Sequence, residues 1–534
     1  MRRHIAALLT LVCAAAVGSI SAPTPATAGP GGIARPTLNG IDLERATIPD
    51  LQHAMHHRRL SSVQLTAYHL RRIQALNPIL HAVITTNPDA LRLAAASDAR
   101  RRHHALRGPM DGITVLLKDN IDTNDKQGTT AGSFALVGSP VARDAGLVSR
   151  LRDAGAVILG KANMSEWSSF RSTSSSSGWS AVEGQTANPY VLDRNPCGSS
   201  SGSAVAVSAN LATVAVGTET DGSIMCPAGA NGTVGLKPSL GLVSRSGIVP
   251  VSHEQDQPGP IARHVVDAAI LLAAMDGADA RDPQSVTAGP HARDDYTRFL
   301  RHDSLKGKRI GVWRGLAGVN PETNAAFDQA LVQVRRLGAT TVDVTLPYQD
   351  VLDNTEFRAI RNEFKHDLNA YLAARPGNHP QDLAGLIQYN LAHPDTEMPY
   401  WTHNLWDSAQ LQSGDLTDPA YVQLRTDARN AAQRSIDETM ATYHLDAIVA
   451  PTNNAAWKTV LGQGDGALLL TSSGSPAVAG YPNLTVPLGF TGPLPLGMSI
   501  MGGRYSEPTL LAFAYAFEQR TEARRAPTFR GSIG

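Results

Sequence analysis

Short apolar runs alternate along this chain with amphipathic segments, and this alternation limits the folds that the chain can adopt. Three of the runs are GITVLLKDNID (112–122), AGAVILGKANMSEW (154–167) and LATVAVGT (211–218). Each reads as a strand that is buried on both faces. Helical stretches such as AGLVSRLRDAG (145–155) lie between them. The pattern predicts an α/β fold, with a central, mostly parallel or mixed β-sheet flanked by helices on both faces.

One large domain accounts for most of the chain, because we find neither an internal repeat nor a linker that would divide it. Further strand-like runs occur at GKRIGVWRG (307–315) and LDAIVAPT (445–452). The segments that we expect are a domain over 45–525, with its core in 100–280, a helical insertion at about 345–430 and a closing core segment in 445–520.

The N-terminus has the features of a secretory signal peptide over residues 1–28. Arg2 and Arg3 form a positive start, and the apolar stretch that follows at 5–17 is too short to span a bilayer. The sequence ATA at 26–28 suits a cleavage site, and residues 29–44 look like a loose lead-in to the domain. We therefore expect a secreted protein, either extracellular or held in the cell envelope.

The balance of charge excludes two classes of partner. The 534 residues include 47 Lys and Arg against 47 Asp and Glu, so the formal net charge is zero. A chain with this balance has no general electrostatic attraction for nucleic acid or for an anionic membrane surface. We expect neither as a partner, and we expect the protein to act as a monomer.

Two cysteines remain after removal of the signal peptide, Cys197 and Cys226. Neither belongs to a CxxC pair, so we expect no metal site. A disulfide between them is one alternative in an oxidising compartment. We expect instead that they are two buried free thiols.

Lys118 stands out because lysine is scarce in this chain. Only eight of the 47 Lys and Arg residues are Lys, and Lys118 ends the apolar strand TVLL. Burial drives a lysine toward its neutral form, which is a base, and arginine cannot take that role. The alternative is an ordinary ion pair with Asp119 or Asp122.

Two Gly- and Ser-rich blocks follow, GSSSGSA (198–204) and GTETDGSI (217–224). The first runs directly into a long apolar stretch, so it is not a flexible linker. In the second, a tight Thr-Asp-Gly-Ser turn follows a strand, and Ser223 comes directly after Gly222. Main-chain N–H groups of such a turn can point into one hollow, as in an oxyanion hole, although the same four residues also form ordinary turns.

Taken together, LLKDNI, GSSSGSA, GTETDGSI and the later GLKPSLGLVSRSGIVP resemble the amidase signature family. The resemblance covers roughly 45–280 and resumes at 445–520, where DAIVAPT and AGYPNLTVP are also similar to the family. It implies the amidase signature fold and a serine amidohydrolase that needs no metal and no organic cofactor.

The resemblance also implies a role for each matching residue. Ser223 takes the position of the nucleophile, Ser199 that of a bridging serine in a cis peptide, and Lys118 that of the base. The residues whose main chain would bind the oxyanion or the substrate are Thr220, Asp221, Gly222, Ser223 and, with a weaker match, Thr173.

Three positions depart from the family's frequent GTDTGGSIR pattern. Glu219 replaces an Asp, Asp221 a Gly and Met225 an Arg. The loss of the Arg argues against a site for small acidic substrates. With PCGSSSGSAVAV (196–207) and SEWSSFR (165–171), the sequence is similar to the peptide amidase branch, which implies an amidated peptide or a small amide as substrate and ammonia as a product.

Parts of the sequence also fit other classes of hydrolase and other functions. Gly198–Gly202 also fits the G-x-S-x-G elbow with Ser200 as nucleophile, but Asn195-Pro196-Cys197 is a poor preceding strand. A serine–lysine peptidase needs S-x-x-K, which no lysine here satisfies. The remaining alternatives are an amidase for other small, aryl or fatty amides, an amidotransferase-type subunit, and a non-catalytic binding protein.

Overall fold

An eleven-stranded sheet runs through the centre of the protein in a computed structural model that describes residues 35–315, 320–465 and 471–533. The signal peptide expected at 1–28 lies outside the described residues. The described strands are β1 (Thr37–Leu38), β2 (Ile41–Asp42), β3 (Val83–Thr86), β4 (Thr114–Lys118), β5 (Val157–Ala162), β6 (Trp179–Ser180), β7 (Gly184–Gln185), β8 (Val214–Glu219), β9 (Val234–Lys237), β10 (Gln257–Ala262), β11 (Arg309–Trp313), β12 (Thr340–Val344), β13 (Ala447–Pro451), β14 (Asn483–Thr491) and β15 (Leu494–Met501).

The α-helices of the described segments are distributed along the whole chain. They are α1 (Ile48–His56), α2 (Ser62–Leu80), α3 (Ala90–Arg102), α4 (Gly146–Asp153), α5 (Ser201–Ser208), α6 (Met225–Ala230), α7 (Val265–Met275), α8 (Pro283–Ala288), α9 (Pro321–Arg336), α10 (Gln349–Ala374), α11 (Leu383–Ala392), α12 (Pro394–Glu397), α13 (Asn404–Gln410), α14 (Pro419–Tyr443), α15 (Gly474–Ala479) and α16 (Glu507–Thr521). None of these helices has the length and apolarity that a membrane crossing requires.

The strand order of the large sheet is β12-β11-β13-β15-β14-β9-β10-β8-β4-β5-β3. The prediction of an α/β fold with a mixed sheet is confirmed. Parallel pairing is confined to β12-β11-β13 and to β8-β4-β5, and the other strand pairs are antiparallel. The sheet is therefore mixed rather than mostly parallel.

Helices cover both faces of the sheet, and β4 shows why the centre of such a strand is apolar. Val115 and Leu117 pack into the core that includes Leu271 of α7. Leu116 points to the opposite face, into the core that includes Val205 and Val207 of α5. Because neighbouring residues of a strand face opposite sides, a strand covered on both faces is apolar along its centre. The polar residues of β4, Thr114 and Lys118, are at its two ends.

A layer of helices, α10 to α14, follows β12 and precedes β13, in the stretch from 349 to 443. Its core includes the fully buried Phe364 and Trp406, which pack with Phe170 and Trp167 of the chain that follows β5. Trp406 is therefore a core residue. The layer packs against the segments that follow β4, β5 and β9.

A disulfide joins Cys197 to Cys226, so the expectation of two free thiols was wrong. The two residues are 29 positions apart in sequence, but their Cα atoms lie 5.8 Å apart. The loop before α5 and the first turn of α6 lie side by side, in a small apolar cluster with Ala230 and Trp457. Sequence spacing does not reveal this proximity, because it depends on how β8 places α5 beside α6.

Candidate active site

Lys118 and Ser199 are in direct contact at the carboxyl end of β4. The Lys118 Nζ donates to Ser199 Oγ at 2.7 Å and to Thr218 Oγ1 at 2.9 Å, with the Thr218 carbonyl oxygen at 3.2 Å. Thr218 is at the end of β8, which pairs in parallel with β4. The carboxyl ends of neighbouring parallel strands meet at one edge of the sheet, where ligand sites of α/β proteins form.

Lys118 has no carboxylate partner within ion-pair distance among the described residues. Asp119 instead accepts from the hydroxyl and main-chain N–H of Thr130 and pairs with Lys161 at 3.5 Å. Asp122 accepts from Tyr371 Oη at 2.8 Å. The ordinary ion pair that the sequence left open for Lys118 is therefore absent.

Burial lowers the pKa of Lys118 to about 7, against a weaker opposing influence of Asp256 and Glu219. The residue is completely inaccessible to solvent. A buried ammonium whose partners are all uncharged loses its hydration without gaining a compensating negative charge, so the neutral amine is favoured. At neutral pH a large share of Lys118 is then an unprotonated base.

The peptide bond between Gly198 and Ser199 is cis, as the family resemblance implied. The Ser199 carbonyl oxygen accepts from the main-chain N–H of Ser165 at 3.0 Å. A Cβ atom at position 198 would collide with the Ser165 hydroxyl, so any residue other than glycine would require the Ser165 side chain to move. These contacts fix Ser199 with its hydroxyl toward Lys118.

The next two serines have structural contacts. Ser200 Oγ donates to the Thr218 carbonyl oxygen at 3.0 Å and accepts from the Thr218 N–H at 3.2 Å. Ser201 Oγ donates to the Cys197 carbonyl oxygen at 2.5 Å, and α5 begins at Ser201. No strand immediately precedes this block in the described structure. The nucleophile-elbow alternative therefore lacks the strand–turn–helix context that it requires.

The turn from Thr220 to Ser223 is held together by the side chain of Glu219. One Glu219 carboxylate oxygen, Oε2, accepts from the main-chain N–H groups of Ile224 at 2.8 Å and Met225 at 3.0 Å. Gly222 has a φ of 74°, in the left-handed region that favours glycine. No described acceptor receives a hydrogen bond from the main-chain N–H groups of residues 220–223. These groups are available to bind an oxyanion.

Two links hold this turn beside the cis-peptide segment. The Ser200 N–H donates to the Ser223 carbonyl oxygen at 3.1 Å. The Cys197–Cys226 disulfide joins the same two segments a few residues away. The structure thus gathers Lys118, Ser199 and the segment that carries Ser223 at one edge of the sheet.

Thr173 lies in a different setting from the other candidate residues. It is exposed, and its N–H and hydroxyl exchange hydrogen bonds with the side chain of Asn404 on α13, at 3.0 and 2.8 Å. The described hydrogen bonds of Thr173 do not connect it to Lys118, Ser199 or Ser223. Its proposed contact with substrate remains a prediction from the family resemblance.

Several residues of the site escaped the sequence analysis. Thr218 supports both Lys118 and Ser200, and Asn120 Nδ2 donates to Thr218 Oγ1 at 2.9 Å. Asn120 and Thr218 were visible as polar residues at the ends of two buried strands, which is the signal that could have found them. Glu219 was noted only as a replacement, although it organises the whole turn.

Comparison with known proteins identifies the family. The family model Amidase matches residues 64–511. A probable amidase from Arabidopsis thaliana is 44% identical over 501 residues, which cover 92% of each chain. The chain therefore belongs to the amidase signature family, which confirms the resemblance. It is an amidase, a hydrolase of linear amide bonds.

Among solved structures, peptide amidases are similar to this chain. The native peptide amidase from Stenotrophomonas maltophilia is 48% identical, with a TM-score of 0.86 over 91% of this chain and 99% of that one. A peptide amidase in complex with the competitive inhibitor chymostatin is 49% identical, with a TM-score of 0.87 over 90% and 99% of the two chains. The fold and the sequence of this chain are thus similar to those of peptide amidases over nearly their whole length.

The buried position of Lys118 predicts that two substitutions differ in their effect on stability. Lys118→Arg places a permanent charge in a buried site without a counter-ion, whereas Lys118→Met fills a similar volume without charge. We expect the free energy of unfolding of the Arg variant to be lower than that of the Met variant by at least about 3 kcal/mol. Urea unfolding at pH 8 measures the difference. Equal stability of the two variants would contradict a buried, unpaired amine.

Proposed function

We propose that this amidase hydrolyses the C-terminal carboxamide of peptides and releases ammonia, through an acyl-enzyme on Ser223. The observation that carries the proposal is the 2.7 Å hydrogen bond between Lys118 and Ser199, made by a lysine whose pKa burial lowers to about 7. A serine hydroxyl needs a base to become a nucleophile. Here Lys118 supplies the base, and Ser199 carries the proton.

In the first half of the proposed reaction, Ser223 Oγ attacks the carbonyl carbon of the amide. Its proton passes to Ser199 Oγ, and the Ser199 proton passes to neutral Lys118 Nζ, because a hydroxyl both donates and accepts. The carbonyl oxygen becomes an oxyanion, which accepts hydrogen bonds from the main-chain N–H groups of residues 220–223. The product of this step is a tetrahedral adduct.

In the second half, the tetrahedral adduct collapses and the carbon–nitrogen bond breaks. The proton returns from Lys118 through Ser199 to the nitrogen, which leaves as ammonia. Water then attacks the ester on Ser223, and the same relay takes its proton and returns one to Ser223. The free acid leaves, and the enzyme regains its starting protonation state.

The proposal of a peptide substrate is based on similarity to known peptide amidases, not on the shape of the pocket. Two structures described as peptide amidases are 48% and 49% identical to this chain over 99% of their own length. Met225, fully buried, stands where the family's frequent GTDTGGSIR pattern has an Arg, which argues against a site for a small acidic amide. Amidases for aryl or fatty amides are the alternatives that the substrate panel below separates.

We further propose that the protein is secreted and acts as a monomer. The positive and apolar N-terminal segment supports secretion, and the Cys197–Cys226 disulfide is a bond that persists in oxidising compartments. Every residue of the proposed site comes from one chain, so the chemistry needs no second copy. Size-exclusion chromatography with light scattering tests the monomer, and a dimer at micromolar concentration would contradict it.

A panel of C-terminally amidated peptides, scored for ammonia, tests the substrate and the nucleophile together. The panel includes the matching free acids, an aryl amide and a fatty amide. We expect ammonia from the peptide amides, and a loss of at least about 10³-fold in kcat for Ser223→Ala. Ser200→Ala, which removes contacts to Thr218 only, should keep a measurable fraction of the activity.

The reverse order of the two serine variants would contradict Ser223 as nucleophile. Faster turnover of the fatty or aryl amide than of every peptide amide would contradict the peptide substrate. Absence of any hydrolysis across the panel, with the protein folded, would contradict the peptide substrate and both of the other amide classes.

The pH dependence of kcat/KM reports the protonation of the proposed base. The protonated form of Lys118 cannot accept the Ser199 proton, so the rate falls as pH drops below the pKa of about 7. We expect about a tenfold loss per pH unit in that limb. Circular dichroism at each pH confirms that the protein remains folded. A rate that stays constant down to pH 4 would contradict a lysine base.

Export and the disulfide are tested on the protein recovered from the medium of its own host. The mature N-terminus, read by mass spectrometry, should be Gly29. Thiol titration of the unreduced, unfolded protein should find no free thiol, whereas the reduced protein should give two. Retention of residues 1–28 in a cytosolic product, or two free thiols in the exported protein, would contradict the proposal.

A further inference from the structure

The direction of one proposed oxyanion donor is fixed by a contact on the other side of its peptide plane. The carbonyl of Thr220 and the N–H of Asp221 belong to the same planar peptide unit and point in opposite directions. The Thr220 carbonyl oxygen accepts from Gln255 Nε2 at 3.3 Å. Whatever holds Gln255 therefore also sets where the Asp221 N–H points.

Gln255 is itself held in one orientation. It is 1% exposed, and its Oε1 accepts from Arg425 Nη1 at 2.7 Å. Arginine has donors only, so the oxygen of the Gln255 amide must face Arg425 and the NH₂ group must face away from it. The NH₂ group then donates to the Thr220 carbonyl and to Glu356 Oε1, the latter at 2.8 Å.

Arg425 is fixed in turn by the helical layer. Its Nε and Nη2 donate to the two carboxylate oxygens of Glu363 at 2.6 and 2.7 Å, a bidentate pair in which both side chains are buried. Glu363 also accepts from the hydroxyls of Tyr421 and Ser252. The pair joins α14 to α10, and Gln255 connects this pair of helices to the turn.

The loop that carries Gln255, residues 251–256, also bonds the side chain of Thr220. The Thr220 hydroxyl donates to Asp256 Oδ1 at 2.6 Å, and the other oxygen of Asp256 accepts from the main-chain N–H groups of Val251 and Ser252 at 2.8 and 3.0 Å. Because Gln255 and Asp256 are adjacent, both the carbonyl and the side chain of Thr220 are tied to one short, internally bonded loop.

We propose that Gln255 is a positioning residue for the oxyanion hole. Supported by Arg425 and Glu363, it orients the Thr220–Asp221 peptide so that the Asp221 N–H meets the oxyanion. The inference rests on the proposed function, since it presupposes an oxyanion bound at residues 220–223. It assigns to α10 and α14 a part in the chemistry of the sheet edge, although neither helix carries a proposed catalytic residue.

Two substitutions of Gln255 test the proposal. Gln255→Met removes all its hydrogen bonds at similar volume, and Gln255→Glu keeps the acceptor for Arg425 while removing the NH₂ group. Losing a whole oxyanion donor costs about 10²- to 10³-fold in kcat, and a misdirected donor costs less. We expect kcat for a peptide amide to fall about 10- to 100-fold in both variants, with KM changed less than about threefold.

Tyr296→Phe is the matched control, because it removes a buried hydrogen bond to Asp276, and neither residue has a described hydrogen bond with Gln255, Arg425 or Glu363. Its kcat should equal that of the wild type. A peptide aldehyde adds a second readout, since the nucleophile would convert it into an adduct with an oxyanion. Its inhibition constant should rise in the Gln255 variants by the same factor by which kcat/KM falls.

The outcomes separate this inference from the proposed function. Wild-type kcat in the folded Gln255→Glu variant would overturn the positioning role while leaving the amidase reaction intact. An equal loss of kcat in Tyr296→Phe would overturn it too, because the loss of any buried hydrogen bond would then have the same effect. Ser223→Ala and the wild type, measured beside them, show separately whether the proposed nucleophile is correct.

Discussion

The whole site depends on a buried lysine whose amine is held by hydroxyl and carbonyl oxygens rather than by a carboxylate. Lys118 contacts Ser199 and Thr218, and the carboxylates next to it in sequence are engaged elsewhere. An ion pair would keep the lysine charged at neutral pH and unable to accept a proton. The arrangement of β4, β8 and the cis-peptide segment therefore supplies the proposed base with the environment that its chemistry requires.

The turn at residues 220–223 is held in place by main-chain and side-chain contacts on both of its sides. Glu219 braces the turn from within by accepting from Ile224 and Met225, and the disulfide joins α6 to the segment that holds Ser199. From outside, Gln255 and Asp256 bind the carbonyl and hydroxyl of Thr220. The turn is thus bound from both sides, which is what a preorganised set of oxyanion donors needs.

The fold class and part of the site could be predicted from the sequence, but the contacts between distant segments could not. The buried strands that end at Lys118 and Thr218 are local apolar patterns, so the α/β class and the sheet edge followed from them. The Cys197–Cys226 bond joins residues 29 positions apart, the contact of Gln255 with Thr220 joins residues 35 positions apart, and Arg425 lies 170 residues from Gln255. Pairings over such separations depend on the assembled sheet, and no local pattern encodes them.

The central claim, that Lys118 is a neutral base near physiological pH, can be measured directly. The chain has only eight lysines, so a protein labelled with ¹³C at the lysine Cε gives a simple NMR spectrum. The Lys118 signal is the one missing from the Lys118→Met variant. The account predicts that this signal titrates with a pKa of about 7. A signal that remains that of a protonated amine up to pH 10 would contradict it.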